Sequence, residues 1–192
     1  MRIPNRVEAE GPLDATILIC GEAIGVEEEQ VGRPFVGSSG QLLDMLLSSV
    51  GIDRTKCYVT NVVKIRPPSN KLDRLGEYGL QLTDFYPELF NEVNEVKPNI
   101  IIALGNIPLE ALTGISSVTK YRGSILEGKS EIGKVKVTYM YKEFVDKIVN
   151  RGDKGNACRD EGVDVFLDDN EGYLSQVLDS AQNTMPLKVL RK

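Results

Sequence analysis

Five glycines fall between residues 21 and 40 and hold Glu22 and Phe35 among them. A segment of this kind lets the backbone approach a ligand closely and leaves amide N–H groups to face an anion. Its spacing is neither GxGxxG nor GxxxxGK followed by Ser or Thr, so a dinucleotide site or a P-loop is a poor match. Two other polar stretches end strand-like runs: Asn61 in the run 57–63, and Thr138-Tyr139-Met140-Tyr141 after the run 134–139. The chain contains no histidine. That excludes Ser-His-Asp and Cys-His triads, HExxH zinc sites and any other imidazole general base.

The elements that must position these residues alternate between strand and helix. Residues 15–20 form a short apolar run that stops at Gly21, as a buried strand does. From Gly40, Leu42, Leu43, Leu46, Leu47 and Val50 recur at helical spacing and Gly51 follows as a stop. Residues 57–63 read as a second strand, and Pro67-Pro68 forces an extended loop after it. Residues 80–96 follow a helical pattern with Pro87 inside it, 99–104 read as a strand, 108–112 as a short helix, and 172–181 as a final helix; 150–163 read as a loop. This order implies an α/β fold: a three-layer α/β/α sandwich with a central, mostly parallel, four-stranded sheet, in one domain spanning 1–192. In such sheets ligands sit beyond the carboxyl ends of the strands, which brings the three polar strand ends to one rim.

Composition narrows the class. The chain has 192 residues, 41% hydrophobic and 27% charged, as expected of one globular domain with a sizeable core. Its apolar runs fall short of the about 20 residues that cross a bilayer, and the first residues show no leader pattern, so no membrane partner is expected. Three scattered cysteines, Cys20, Cys57 and Cys158, form no CxxC pair. They read as buried free thiols in a reducing, cytoplasmic compartment, with no metal site. The net charge is −5, which argues against coating nucleic acid by bulk attraction. Six bases stand against one acid between residues 54 and 74, however, while 160–180 holds seven acids and no base. The basic stretch is either a phosphate-facing surface or a solvated loop.

Three blocks then resemble a known family. Gly21-Glu22-Ala23-Ile24-Gly25, Gly32-Arg33-Pro34-Phe35-Val36-Gly37 and Gly40-Gln41-Leu42-Leu43 resemble the first motif of the uracil-DNA glycosylase superfamily. The nearest branch is the bacterial and archaeal family-four enzymes, whose motif runs GEAPG…GRPFVG…G. Val59-Thr60-Asn61-Val62-Val63-Lys64 with Arg66-Pro67-Pro68 resembles that branch's TNVVKCRPP segment, 97–105 its third strand, and Arg122-Gly123 its RG turn. The resemblance covers roughly residues 14–140.

It implies a monofunctional DNA N-glycosylase that flips a pyrimidine out of DNA, hydrolyses its N-glycosidic bond and leaves an abasic site. By this resemblance Phe35 stacks on the base, Asn61 reads its edge, and Glu22 lies near the sugar as the catalytic carboxylate. A carboxylate there orients water and stabilises an oxocarbenium-like sugar. An Asn amide carries both donor and acceptor. Gly21, Ala23 and Met140 complete the expected base site. Ser38, Lys64, Arg66, Arg122, Tyr141 and Lys142 are the expected DNA contacts, although Lys64 and Arg66 read equally well as solvated loop residues. Apart from the motif, Glu22 reads as a helix cap, Phe35 as core and Asn61 as a partner of backbone. The expected partner is DNA, bound by a monomer.

Two departures stand out. Family-four enzymes hold an iron–sulfur cluster on four cysteines, whereas Ile65 replaces the cysteine of KCRPP and no cysteine lies within 77–87. The cluster is therefore expected to be absent, with apolar packing around Ile65 in its stead. The family's last motif reads approximately TYHP, and Met140 stands where its histidine donates to the departing base. Loss of one such donor costs about 3–4 kcal/mol in transition-state stabilisation. Lys142, Tyr139, Tyr141 and Arg122 are candidate replacements, and a modified cytosine becomes an alternative substrate to uracil. A catalytically weak, DNA-binding replication accessory protein is the competing expectation.

Overall fold

The computed structural model describes residues 4–49, 51–116, 125–133 and 135–140. Strand β1 (Ile17–Ala23) lies between β2 (Tyr58–Val63) and β3 (Ile100–Leu104) and pairs in parallel with both. Strand β5 (Lys136–Met140) extends the sheet in parallel beyond β3, and β4 (Leu126–Glu127) closes that edge antiparallel to β5. The order is β2-β1-β3-β5-β4. Among the described residues the sheet thus has five strands rather than the expected four. The addition is a two-residue edge strand, too short for any periodicity to show in the sequence.

The central strands are apolar on both faces because both faces are covered. Successive side chains point to opposite sides of a strand. Leu18, Cys20, Val62, Ile101, Ala103 and Val137 join one core with α3 (Tyr86–Val96) and α4 (Asn106–Thr113). Ile17, Ile19, Val59, Ile100 and Ile102 join another with Leu43, Leu46 and Leu47 of α2 (Ser38–Ser49). This is the expected three-layer sandwich. Near the N-terminus, Glu10 and Val59 exchange backbone hydrogen bonds of 2.9 and 2.7 Å, covering the outer edge of β2.

Three boundaries differ from expectation in ways that matter to the rim. Strand β1 does not stop at Gly21 but continues to Ala23, held by a parallel ladder in which Gly21 faces Asn61 and Ala23 faces Val63. Glu22 therefore sits on a strand instead of a loop. Helix α1 (Val26–Val31) occupies part of the expected glycine loop; its first turn carries Glu27, Glu28 and Glu29, favourable charges for a helix N-terminus. The expected continuous helix over 80–96 divides into a 3-10 turn, Leu82–Phe85, and α3. Pro87 is thereby at the first turn of α3, where a missing N–H costs nothing. No helix among the described residues is long and apolar enough to cross a membrane. The expected loop at 150–163 and helix at 172–181 lie outside the described residues.

Candidate active site

The parallel register between β1 and β2 places Gly21 beside Asn61. A β-carbon on Gly21 would collide with Cζ of Phe35 and Oδ1 of Asn61, so the bare glycine lets ring and amide close over the strand. Phe35 arrives from the segment joining α1 to α2. Its φ of +53° is left-handed, a conformation that costs a non-glycine residue about 1–3 kcal/mol and persists only where neighbours enforce it. Helix α2 presses on the same peptide: a β-carbon at Gly40 would overlap the Phe35 carbonyl.

Phe35 and Asn61 border a cavity of about 390 Å³, within the range of small-ligand sites. Ala23, Gly25, Glu27, Glu28, Gly37, Ser38, Ser39 and Asn70 complete most of its wall. Asn61 is only 4% exposed. Among the described residues its side-chain amide has no hydrogen-bond partner, so the expected alternative of a backbone-paired Asn61 is not realised. A buried polar group without a partner costs free energy until something satisfies it.

Glu22 follows at the same rim, exposed and outside the cavity wall. Desolvation by its surroundings raises its carboxyl above the ordinary 4.5 while leaving it open to solvent. Its charged form is therefore held at a cost in free energy.

The expected DNA contacts divide. Ser38 lines the cavity at the start of α2. Lys64 does not face solvent: it is 0% exposed, and its ammonium lies 2.7 Å from Glu92 Oε2 and also donates to Thr60 Oγ1. Thr60 Oγ1 donates to the same carboxylate at 2.9 Å. Both expectations for Lys64, phosphate contact and solvated loop, are thereby corrected. The polar terminus of this lysine is used inside the fold, a use that charge counting along a sequence does not distinguish from an exposed one. Arg66 is half-buried, donating to Asn70 Oδ1 at 2.7 Å and reaching Glu29 at 3.4 Å, so it shapes the cavity wall through Asn70. The backbone of Met140 ends β5 opposite Leu104. Arg122, Tyr141 and Lys142 lie outside the described residues.

Three further contributors carry little mark in the sequence. Glu28 lines the cavity and accepts hydrogen bonds from Val36 N at 3.0 Å and Gly37 N at 2.9 Å. Asn70 follows the Pro-Pro pair in a left-handed turn with φ of +58°. Arg54 donates to the carbonyls of Pro34 and Phe35. Glu28 shows in the sequence only as part of an acidic triplet and Arg54 only as a basic residue just before a strand, both commonplace on protein surfaces, and Asn70 only as a polar residue after the Pro-Pro pair.

Among the described residues, Cys20 and Cys57 do not fit an iron–sulfur cluster; Cys158 lies outside them. Cys20 and Cys57 are buried in the two different cores, on opposite sides of the sheet. Desolvation pushes Cys20 up to about 12 and Cys57 to about 11, as for thiols enclosed in a core. Ile65, 2% exposed, fills its position with hydrocarbon, and no cluster of three or more metal-ligating side chains occurs among the described residues.

Similarity to known proteins agrees with this geometry. Residues 8–153 match the family model for the uracil DNA glycosylase superfamily. A type-4 uracil-DNA glycosylase of Pyrobaculum aerophilum is 38% identical over 131 residues, 68% of this chain and 65% of the relative. One from Archaeoglobus fulgidus is 31% identical over 148 residues, 71% of this chain and 69% of the relative. The chain therefore spans about two thirds of the length of these relatives. A DNA polymerase of Bacillus phage SP01 is 31% identical over 125 residues, which cover 65% of this chain but only 13% of the polymerase. With a family model matching most of its length and its rim built on Gly21, Phe35 and Asn61, this chain belongs to the uracil-DNA glycosylase superfamily.

Proposed function

We propose that the protein is a DNA N-glycosylase that takes a flipped uracil into the cavity beside Phe35 and Asn61 and hydrolyses its N-glycosidic bond. The observation that carries this is the buried amide of Asn61, without a hydrogen-bond partner among the described residues, set against an aromatic ring at a ligand-sized cavity. A pyrimidine supplies what both lack: a π face for Phe35 and an edge of alternating donors and acceptors for Asn61. Similarity to two enzymes named type-4 uracil-DNA glycosylase supports uracil as the base.

In the reaction the bond between C1′ and the base nitrogen breaks and water adds to C1′. The departing base takes up a proton. Ionised Glu22 stabilises the positive sugar and orients the water. Asn61 holds the base edge as negative charge grows on it, and Phe35 fixes the ring plane. Ser38, at the α2 N-terminus, lies where DNA phosphate gains from the helix dipole. Met140 offers no hydrogen to the base, so on this proposal the donor role that the family's motif gives to a histidine falls to another group. A modified cytosine is the second substrate on this proposal, because an Asn amide turned over pairs with its edge. The enzyme works without an iron–sulfur cluster, its fold carried by the apolar packing around Ile65.

The test is direct. Purified protein is incubated with DNA containing a single uracil, or a modified cytosine, and abasic sites are then cleaved with alkali. Breaks at the target base that vanish in Glu22→Ala are expected. Absence of breaks on every substrate, with wild type and Glu22→Ala equally inert, would sink the proposal. Salt-sensitive DNA binding without product would instead favour an accessory role, for which the similarity to a segment of a phage DNA polymerase speaks.

A further inference from the structure

Two charged side chains hold the three successive peptide groups around Phe35, one from each side. Arg54 Nη2 donates to the carbonyl of Pro34 at 2.8 Å, and Nη1 donates to the carbonyl of Phe35 at 2.9 Å. On the other side, Glu28 Oε1 accepts from Val36 N and Gly37 N at 3.0 and 2.9 Å. The cation thus takes carbonyls and the anion takes amides, so all four bonds are charge-assisted. Between them sits Phe35 at φ +53°.

The anchors explain what this arrangement fixes. Glu28 belongs to α1, which follows directly on β1 and hence on Gly21. Arg54 belongs to the 3-10 turn Arg54–Lys56 that leads into β2 and hence to Asn61. That turn is itself fixed, since Asp53 accepts from Thr55 N at 2.9 Å. Arg54 is also tied to Asp44 of α2 at 2.7 Å, and its side chain is 19% exposed. The Phe35 segment is therefore spanned from next to both strands that carry the base site.

We infer that Arg54 and Glu28 are positioning residues that together hold Phe35 in its left-handed conformation and set its ring against Asn61 for stacking on the flipped base. This rests on the proposed function, in which Phe35 is the stacking ring. Neither residue touches the base through this role; both act through the backbone around Phe35. The planar fork of arginine reaches two carbonyls and a carboxylate at once, which the single ammonium of lysine does not reproduce.

The test compares wild type with Arg54→Met, Arg54→Lys and Glu28→Gln in the full chain. In single-turnover uracil excision, displacing the ring by an ångström is expected to cost about 10²-fold. Arg54→Lys should fail to rescue it. Binding to DNA with an abasic site, where no base stacks, should stay within about twofold. On a Phe35→Ala background, Arg54→Met should add less than about twofold, because the residue it positions is gone. Full activity in both Arg54→Met and Glu28→Gln, losses additive with Phe35→Ala, or equal loss on abasic DNA would each overturn the inference.

A readout independent of catalysis separates this from the proposed function. The chain contains no tryptophan, so Phe35→Trp introduces a single indole at the clamped position, excited selectively on the red side of tyrosine absorption. Its anisotropy should fall when Arg54→Met is added. Unchanged anisotropy overturns the clamp even if uracil is excised. A wild type inactive on both uracil and modified-cytosine DNA, with the indole of Phe35→Trp still clamped, overturns the proposed function and leaves the clamp standing.

Discussion

The Phe35 ring rests where the β-carbon of residue 21 would stand, so Gly21 and Phe35 exclude any side chain at one position to admit an aromatic at another. Asn61 Oδ1 presses on the same point. Gly21→Ala must therefore push ring and amide apart. Overpacking of this kind costs about 1–3 kcal/mol in stability. Excision should suffer more, by about 10²-fold, since both base-binding groups shift together. Urea unfolding and single-turnover excision on one preparation check the pair. An alanine variant with wild-type excision would mean that the ring and Asn61 do not both engage the base.

Gly40→Ala probes the same ring from behind. Its β-carbon would overlap the Phe35 carbonyl, the atom that Arg54 also holds. The substitution favours helix α2 by propensity, worth about 1 kcal/mol in an unconstrained helix. The collision reverses that sign. Thermal melting should therefore show destabilisation where helix propensity alone expects a gain.

Gly21, Phe35 and Asn61 were legible because each falls in a block that resembles a family motif. They are a close-packing glycine, an aromatic set between Pro34 and Val36, and a polar residue in an apolar strand; each is anomalous in its own neighbourhood. What stayed hidden depends on partners distant in sequence. Lys64 looks like any basic residue near a loop until Glu92, 28 positions away on α3, is placed beneath it. Arg54 and Glu28 act on backbone atoms, which leave no trace in residue types. Strand β1 outlasts Gly21 only because β2 supplies the ladder.

Glu22 should set the acid limb of the activity. Desolvation raises its carboxyl above 4.5, and the reaction requires the ionised form, so excision should fall on acidification with a midpoint above that value. The stability sign is opposite to that of a salt-bridged acid. The folded state prefers protonated Glu22, so its stabilising contribution is present at low pH and is lost as pH rises through the raised value. Glu22→Gln should abolish the acid limb along with most activity, yet match or exceed wild type in melting temperature at pH 7. That advantage should vanish near pH 4. A Glu22→Gln variant less stable than wild type at pH 7 would contradict the cost assigned to this charge.

The thiols should behave as core. Burial pushes Cys20 up to about 12 and Cys57 to about 11, so almost no thiolate exists at either position at pH 8. Neither should react with a disulfide reagent until denaturant is added, as peptide mapping of the labelled protein would show. Early labelling of Cys20 would mean that the sheet opens far more readily than its packing implies.

The Lys64–Glu92 pair yields a cycle in which opposite expectations meet. Its side chains are 1% and 12% exposed, and desolvation is the main influence raising the Glu92 carboxyl, with Lys64 opposing it. Lys64→Met alone strands that carboxylate and should cost about 3–5 kcal/mol in urea unfolding. The double variant Lys64→Met/Glu92→Leu removes both charges and should recover most of the loss, because a buried ion pair is often no better than hydrocarbon of similar volume. The same double variant addresses DNA. Removing a cation that neutralises one phosphate lowers the salt slope of binding by about 0.9 for duplex DNA. With Lys64 enclosed, the double variant should bind with the wild-type slope. A decrease of about one would show that the pair opens and that Lys64 reaches a phosphate in the complex.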